Sequence, residues 1–334
     1  MARVSVLMVM MVGSIAAASS CAVSRAFAAG PPAETQPAQC TLKAGDTHTV
    51  VAIIDAQTLE LDDGSHVRLA GIVAPIPPAF LTAEAVWPPE AQAIAGLKQL
   101  LLGETVELAY ATTHNDRWGR RLAHVFRTDA AGREWVQGWM LRHGHARVDP
   151  LPDSLACIGE LLAHERQGMK ADLGLWKNPA YRIRWADAPQ RLMRLRNTFQ
   201  LIEGSVRKVA VTRGRLYVNF GDDWRSDFTA GASRQSPAFG QQALAQLQSL
   251  EGKRVRVRGW IERRNGPYVE LFHPLQIETL DDGPQPAAST GVASGESPPG
   301  SKGPTARVPA EAQPRAGGDE KKRPKPEVPD ALDL

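Results

Sequence analysis

Arginine alternates with aliphatic residues along the segment 253–261, which places basic side chains on one face of a predicted strand. That face consists of Arg254, Arg256, Arg258 and Trp260. Every second side chain of a strand points the same way, so the aliphatic residues take the opposite face. Guanidinium groups follow phosphates and an indole stacks on an unpaired base. The pattern predicts a nucleic-acid-binding face; the alternative is a solvated strand face on which Trp260 packs under the preceding linker.

A second strand-like run at 215–220 repeats this pattern. Arg215, Tyr217 and Asn219 share one face, and the aliphatic residues between them would fill a core. We expect Arg215 and Tyr217 to add to the same kind of binding surface, with DNA or RNA as partner and single strands preferred.

The charge of the whole chain limits how basic its surface can be. The 334 residues include 39 Lys+Arg and 36 Asp+Glu, a formal net charge of +3. This value does not mark a general binder of polyanions, so any basic surface must be local.

The N-terminal segment has the features of a signal peptide. Arg3 precedes an apolar run at 4–18, shorter than the roughly 20 residues that a spanning helix needs. Ala26-Phe27-Ala28 fits a small-residue cleavage site. We expect removal of residues 1–28 and export to the periplasm or the outside of the cell. A lipid anchor at Cys21 is the alternative, although Ala18 stands where such a signal has a larger aliphatic residue.

Two of the three cysteines, Cys40 and Cys157, would remain after this cleavage. Pairs of thiols in an oxidising compartment usually form disulfides, so we expect a bond between them. The sequence contains no CxxC motif, and a zinc site is not predicted.

The elements that position these residues are mostly strands. Between residues 40 and 181, hydrophobic periodicity predicts three strands, a helix, two strands and two helices. Their predicted bounds are 50–54, 58–61 and 67–73, then helix 89–102, strands 106–109 and 122–126, and helices 134–143 and 155–173.

A second strand-rich unit is predicted at 199–281, after a connector at 182–198. It contains strands at 205–211 and 215–220, a helix at 241–250, and a hairpin of 254–263 with 268–272 whose Asn265-Gly266 turn is a strong hairpin signal. Residues 282–334 are rich in Pro, Gly, Ser, Ala and Lys, a composition that predicts a disordered tail.

Several motifs in the first unit occur in a recognisable order. They are Val67-Arg68-Leu69-Ala70-Gly71-Ile72 with Ala74-Pro75, then Pro89-Glu90-Ala91, then Asp116-Arg117-Trp118-Gly119-Arg120-Arg121-Leu122-Ala123, then Gly174-Leu175-Trp176. In this order and spacing the chain resembles the staphylococcal nuclease (thermonuclease) family over about 46–181. The resemblance implies a mainly β fold with helices (α+β), a five-stranded OB-fold barrel with three helices. We expect a second, small OB-like β-barrel to follow it.

The resemblance also implies a site. The family's enzymes hydrolyse DNA and RNA with two arginines, a calcium ion held mainly by two aspartates, and a glutamate that orients or deprotonates water. The arginines map to Arg68 and Arg120, whose guanidinium groups suit phosphate oxygens. The two aspartates are replaced by Gln57 and Val73, and the glutamate by Ile76. Calcium binding is therefore not supported, and we predict neither a metal nor another cofactor.

Three functions remain open. The first is an exported phosphate- or nucleic-acid-binding module that has lost calcium-dependent hydrolysis. The second is an active secreted endonuclease that uses displaced carboxylates, for which Asp55, Glu60, Asp62, Asp63 and Asp116 are the candidates. The third is a structural protein of the cell envelope.

Overall fold

In the computed structural model of the protein, residues 40–78, 81, 85–111, 114–130 and 132–280 are described. The predicted signal peptide, Cys21 and the predicted tail lie outside these residues. No helix of the described part is both long and apolar enough to cross a membrane.

The first sheet has six strands, in the order β3-β2-β1-β5-β6-β7. β3 also pairs in parallel with β6, which closes β1, β2, β3, β5 and β6 into a barrel. A short separate pair joins β4 to β8. The bounds are β1 (Lys43–Asp55), β2 (Thr58–Leu61), β3 (His66–Leu69), β4 (Ile72–Val73), β5 (Thr105–Tyr110), β6 (Arg121–Asp129), β7 (Gly132–Trp135) and β8 (Arg147–Val148).

Three helices cover this barrel, and their apolar residues complete its core with those of the strands. They are α1 (Pro88–Leu101), α2 (Val136–Arg142) and α3 (Ile158–Lys170). Leu59 and Leu69 of the barrel, Leu97 of α1 and Met140 of α2 are all fully buried in one cluster. Two short 3₁₀ helices, Gly174–Lys177 and Pro179–Tyr181, follow α3.

The predicted strand 67–73 is divided in the structure by a turn at Ala70 and Gly71. Gly71 has a φ of +75°, and a Cβ atom at this position would lie 2.6 Å from Leu161 Cδ1 of α3. Glycine therefore allows both the left-handed backbone and the close approach of the helix. As a result, β4 leaves the barrel and carries Val73 toward β8.

The second sheet has eight strands, in the order β11-β12-β13-β15-β14-β10-β9, with β16 paired to β14. Their bounds are β9 (Arg184–Trp185), β10 (Phe199–Ser205), β11 (Lys208–Val211), β12 (Arg215–Asn219), β13 (Thr229–Ser233), β14 (Arg254–Arg264), β15 (Gly266–Leu271) and β16 (Ile277–Thr279). This region also contains α4 (Pro189–Met193), α5 (Gln241–Gln248) and a 3₁₀ helix, Pro274–Gln276. The hairpin predicted at Asn265-Gly266 is confirmed by the pairing of β14 with β15.

The mainly β architecture with helices confirms the predicted fold class in outline. The second sheet has its own core, in which Phe228, Val257 and Val269 are fully buried. That this second unit is an OB barrel, and that it forms a separate domain, stay predictions. A small third cluster contains Val73 from β4 and Leu201 from β10, so the β4–β8 pair packs against the second sheet.

Candidate functional site

A cavity of about 530 Å³ lies at the edge of the first barrel where β3 ends. It brings together Arg68 and the three positions at which the expected carboxylates are replaced, Gln57, Val73 and Ile76. The loop around Asp116 and the chain after β8 complete the lining on the first barrel. The structure thus places most of the site residues implied by the resemblance around one space.

Arg68 is held on a strand with neighbours on both sides. It pairs with Thr58 of β2 and with Leu122 of β6, so its backbone is fixed at the barrel seam. The side chain is half-buried and lines the cavity. Within the described part of the chain, no carboxylate forms an ion pair with its guanidinium. A guanidinium group on a rigid strand that forms no ion pair of its own can bind an external anion.

Arg120 is positioned by the carboxylate of Asp116. Its Nε donates to Asp116 Oδ2 over 2.8 Å, and its Nη1 donates to Thr58 Oγ1 over 3.3 Å. The other oxygen of Asp116 accepts from the backbone amides of Trp118 and Arg120. Burial raises the pKa of Asp116, but these hydrogen bonds outweigh it and hold the pKa below its usual value. Asp116 thus holds in place the loop that carries Arg120.

Trp118, which the sequence interpretation did not single out, lies on this loop with 62% of its surface exposed. The guanidinium carbon of Arg117 is 4.0 Å from the centre of its ring, and that of Arg120 is 5.2 Å away. Trp118 also lines the cavity. A large exposed indole between two cations is a platform on which a base can stack. The sequence signal that could have identified Trp118 is its position inside the motif at 116–123.

The three replaced positions do not fit a calcium ion. The Gln57 amide oxygen already accepts from the backbone amide of Ala74 over 3.0 Å. Val73 is buried in its pair with β8, and Ile76 is 54% exposed. Calcium needs several hard oxygen ligands and gains most from carboxylates. One engaged amide oxygen and two hydrocarbon side chains do not provide this set.

Asp55, Asp62 and Asp63, three other carboxylates near the barrel, are engaged elsewhere. Among the described residues, the group close enough together to hold a metal ion is His48, Asp62 and Asp63, on the hairpin between β2 and β3 and the facing part of β1. The guanidinium of Arg121 already lies at this group. It contacts His48 Nε2 over 2.8 Å and donates to Asp63 Oδ2 over 2.7 Å. Asp55 accepts from the backbone amide of Gln57 in a tight turn.

Comparison with known families agrees with this geometry. Residues 66–178 match the family model of the staphylococcal nuclease homologues. This region is a staphylococcal nuclease homologue. The match contains Arg68, Arg120 and the cavity-lining loop between β5 and β6. A search of curated proteins returned no match.

Among the described residues, the nuclease-homologue region contributes two further acids to the cavity, Asp153 and Asp149, and sequence reasoning missed both. Asp149 is the buried one of the two. It follows β8 and is 3% exposed. Trp260 of the second sheet donates its indole Nε1 to Asp149 Oδ2 over 3.0 Å. Burial raises the pKa of Asp149 to about 6, although the bond to Trp260 and the charge of Arg68 oppose the rise. No sequence signal marked this residue, because its significance comes from its burial.

The expected exposure of the arginine face at Arg254, Arg256, Arg258 and Trp260 is wrong. This face of β14 turns toward α3 and β10 of the same chain. Arg258 is 1% exposed and ion-paired to Glu165 over 2.8 Å and to Glu278 over 2.6 Å. Arg254 and Arg256 both pair with the buried Glu203. The alternation on β14 was predicted correctly, but its basic side faces carboxylates instead of solvent.

Arg215 and Tyr217 lie on a different part of the second sheet, around a separate cavity of about 480 Å³. The Arg215 guanidinium donates to Glu270 over 2.6 Å and to the Tyr268 hydroxyl over 2.6 Å. The guanidinium carbon of Arg215 is 5.8 Å from the centre of the Tyr217 ring. Neither residue lines the cavity of Arg68, and their binding of nucleic acid stays a prediction.

Cys40 and Cys157 form a disulfide, as expected. The bond joins the chain ahead of β1 to the residue that precedes α3. It therefore fixes that helix against the start of the barrel.

Proposed function

We propose that the protein binds phosphodiester groups of DNA or RNA at the cavity of Arg68 and does not hydrolyse them with calcium. The observation that carries this proposal is the unpaired guanidinium of Arg68 on the barrel seam, beside a loop on which Asp116 orients Arg120. The family to which residues 66–178 belong suggests nucleic-acid binding or nuclease function. Arg68 and Arg120 supply the groups that would bind phosphate, without those that would hydrolyse it.

Loss of calcium-dependent hydrolysis follows from Gln57, Val73 and Ile76. Removing a general base costs roughly 10² to 10⁴ in rate. Losing a metal ion removes several kcal/mol of transition-state stabilisation as well. The two effects need not multiply, but either one is large.

A preference for single strands is supported by Trp118 instead of Trp260. Trp260 is half-buried and donates to Asp149, whereas Trp118 is exposed beside Arg117 and Arg120. Only an unpaired base can stack on an exposed indole, so duplexes gain less from this residue.

Export completes the proposal. Disulfides persist in oxidising compartments, and the Cys40–Cys157 bond supports a location outside the cytoplasm. The binding module would then act in the periplasm or outside the cell.

One observation favours the alternative of an active nuclease. Asp149 is a buried acid in the same cavity as Arg68, and its pKa of about 6 suits a group that exchanges protons near neutral pH. It was not among the displaced carboxylates considered from the sequence. Cleavage that survives chelation of metals and disappears in Asp149→Asn would establish this alternative.

Fluorescence anisotropy of labelled single-stranded and duplex oligonucleotides, over a range of salt concentrations, tests the proposal. Wild type should bind with an affinity that falls as salt rises, and each lost phosphate contact should flatten this dependence by about one unit of slope. Arg68→Ala and Arg120→Ala should show this change. Arg133→Ala is the matched control, because Arg133 lies on β7 and pairs with Glu107 away from the cavity.

Trp118→Ala should weaken single strands by roughly 1 to 3 kcal/mol and duplexes by much less. The same samples, incubated with unlabelled DNA and RNA with and without calcium, report cleavage. If wild type binds neither form even at low salt, the structural envelope role replaces the proposal. If calcium stimulates cleavage, the loss of hydrolysis is refuted.

A further inference from the structure

A second cavity, of about 440 Å³, lies between the β4–β8 pair and the second sheet. It shares Val73, Ile76 and Trp260 with the cavity of Arg68 but contains neither Arg68 nor Arg120. Trp87, Tyr181 and Phe199 supply aromatic walls, and the segment 74–78 supplies a wall rich in proline. The volume lies in the range of small-molecule sites, which are mostly apolar with a few polar groups.

One of these polar groups is Arg147 of β8, which is 2% exposed. Its Nη2 donates to the backbone carbonyl of Tyr181, and its guanidinium carbon lies 4.9 Å from the Tyr181 ring centre and 5.5 Å from that of Trp176. Its Nε has no hydrogen-bond partner among the described residues. The negative charge of Glu165 acts to raise the pKa of Arg147, but the Glu165 oxygens accept hydrogen bonds from the Val148 amide and from Arg258. Arg147 is therefore a buried cation with neutral partners.

Arg184 of β9 is the second polar group, and it also has neutral partners. Its Nε donates to the Gln200 amide oxygen over 3.2 Å, and its Nη2 donates to the Ala180 carbonyl over 2.6 Å. Burial lowers the pKa of Arg184 and brings the pKa of Arg147 to about 10, as expected for cations without a close counter-ion.

The charge of this cavity is thus of one sign. Among the described residues that line it, the charged side chains are Arg147 and Arg184, and none is a carboxylate. A buried charge without a counter-ion is costly, and an anion that enters would offset this cost. Aromatic and proline walls next to the two guanidinium groups would cover an apolar body attached to that anion.

We propose that this cavity binds a small organic anion. Its carboxylate, sulfonate or phosphate group lies at Arg147 and Arg184, and its flat apolar body lies against Trp87 and Tyr181. The site is separate from the proposed phosphodiester site, because a different pair of arginines forms it. The β4–β8 pair and the second sheet both contribute to it, since Arg147 belongs to β8 and Gln200 to β10.

The anionic fluorophore 1-anilinonaphthalene-8-sulfonate is a suitable probe, and N-phenyl-1-naphthylamine is its analogue without the sulfonate. Titration into the full-length folded protein should show saturable binding of the sulfonate at one site. The uncharged analogue should bind at least about ten-fold more weakly, since a charge-assisted hydrogen bond contributes on this scale.

Gln200→Glu is the most informative variant. Gln200 is buried, and its amide oxygen already contacts Arg184, so glutamate has nearly the same shape and adds an internal carboxylate. The variant should lose sulfonate binding by about ten-fold or more. Arg184→Gln should lose binding to a similar extent. Arg182→Gln is the matched control, because Arg182 is the exposed arginine two residues earlier and does not line the cavity.

Two results would overturn this proposal. One is a wild type that binds the sulfonate and the uncharged analogue equally well. The other is unchanged sulfonate binding in Arg184→Gln and in Gln200→Glu, with circular dichroism showing that both variants are folded. If only one variant folds, unchanged binding in that variant alone overturns the proposal. Arg68→Ala should bind the sulfonate as wild type does, and a loss there would place the anion in the first cavity and refute the assignment.

Discussion

Arg258 of β14 and Glu165 of α3 form an ion pair of 2.8 Å in which each side chain is 1% exposed. The second Glu165 oxygen accepts from the Val148 amide over 2.8 Å. One carboxylate thus joins α3, β8 and β14, and the pair connects the nuclease-homologue region to the second sheet.

Removal of one partner should destabilise the protein strongly, because the other charge stays buried without compensation. We expect Arg258→Met to lower the free energy of unfolding by about 3 to 5 kcal/mol. Arg133→Met, which breaks the exposed pair with Glu107, should lower it by less than about 1 kcal/mol. Urea unfolding measures both values, and equal losses would contradict a buried role for Arg258.

The stability contribution of Asp149 should depend on pH. Burial raises its pKa in the folded protein to about 6 from an ordinary value of 3.8, so folding favours the protonated acid. Its favourable contribution is complete below pH 3.8 and is lost as pH rises through 6. Relative to Asp149→Asn, wild type should therefore lose about 3 kcal/mol between pH 3.5 and 7.

Urea unfolding of both proteins across this pH range measures the difference. His124 and His145 act in the opposite direction, because burial lowers the pKa of each to about 4. Both are present in wild type and variant, so their effect cancels. Asp172→Asn is the control, since Asp172 is exposed and its backbone conformation suits asparagine. If Asp149→Asn follows the wild-type pH dependence, the folded-state pKa of Asp149 is not raised.

The disulfide between Cys40 and Cys157 spans 117 residues. In the chain-entropy account, closing a loop of this length contributes about 5 kcal/mol. Cys40→Ser/Cys157→Ser should show a loss of this order in urea unfolding, and a reducing agent should destabilise wild type but not the variant. Peptide mapping under non-reducing conditions should find the two cysteines linked. Recovery of both as free thiols from exported protein would disprove the bond.

Calcium should neither raise the melting temperature nor stimulate DNA cleavage. The combined change Gln57→Asp/Val73→Asp/Ile76→Glu should create calcium affinity, seen as a melting temperature that rises with calcium concentration. Gln57→Asn/Val73→Asn/Ile76→Gln is the control, because it has similar shapes without charge. A calcium-dependent rise in the unmodified protein would mean that other oxygens form a site.

Local patterns in the sequence predicted much of the fold. The helix at 89–102 corresponds to α1 (Pro88–Leu101), and the Asn265-Gly266 turn corresponds to a real hairpin, in which Asn265 has a φ of +65°. β13 (Thr229–Ser233) was missed because its residues are small and carry no periodic signal. They are small for a tertiary reason: a Cβ on Gly231 would lie 2.3 Å from the Tyr268 hydroxyl.

The site was predictable only where its residues belong to a motif. Arg68 and Arg120 were found through the family resemblance, and the structure places Arg68 in the cavity. The burial of Arg258 was not predictable, because arginines on one face of a strand give the same sequence pattern whether that face contacts water or carboxylates. Its partner Glu165 lies 93 residues earlier in the chain. Burial shifts the pKa values of Arg147 and Asp149, and no local sequence pattern predicts that burial.

The Cys40–Cys157 bond makes a covalent ring of the chain from β1 through β8. A protease that cuts one peptide bond inside this ring nicks the protein without releasing a fragment. Both new ends stay attached through sulfur, and the strands on either side of the cut remain close enough to pair. Two cuts, or one cut together with reduction, are needed before part of the nuclease-homologue barrel can diffuse away.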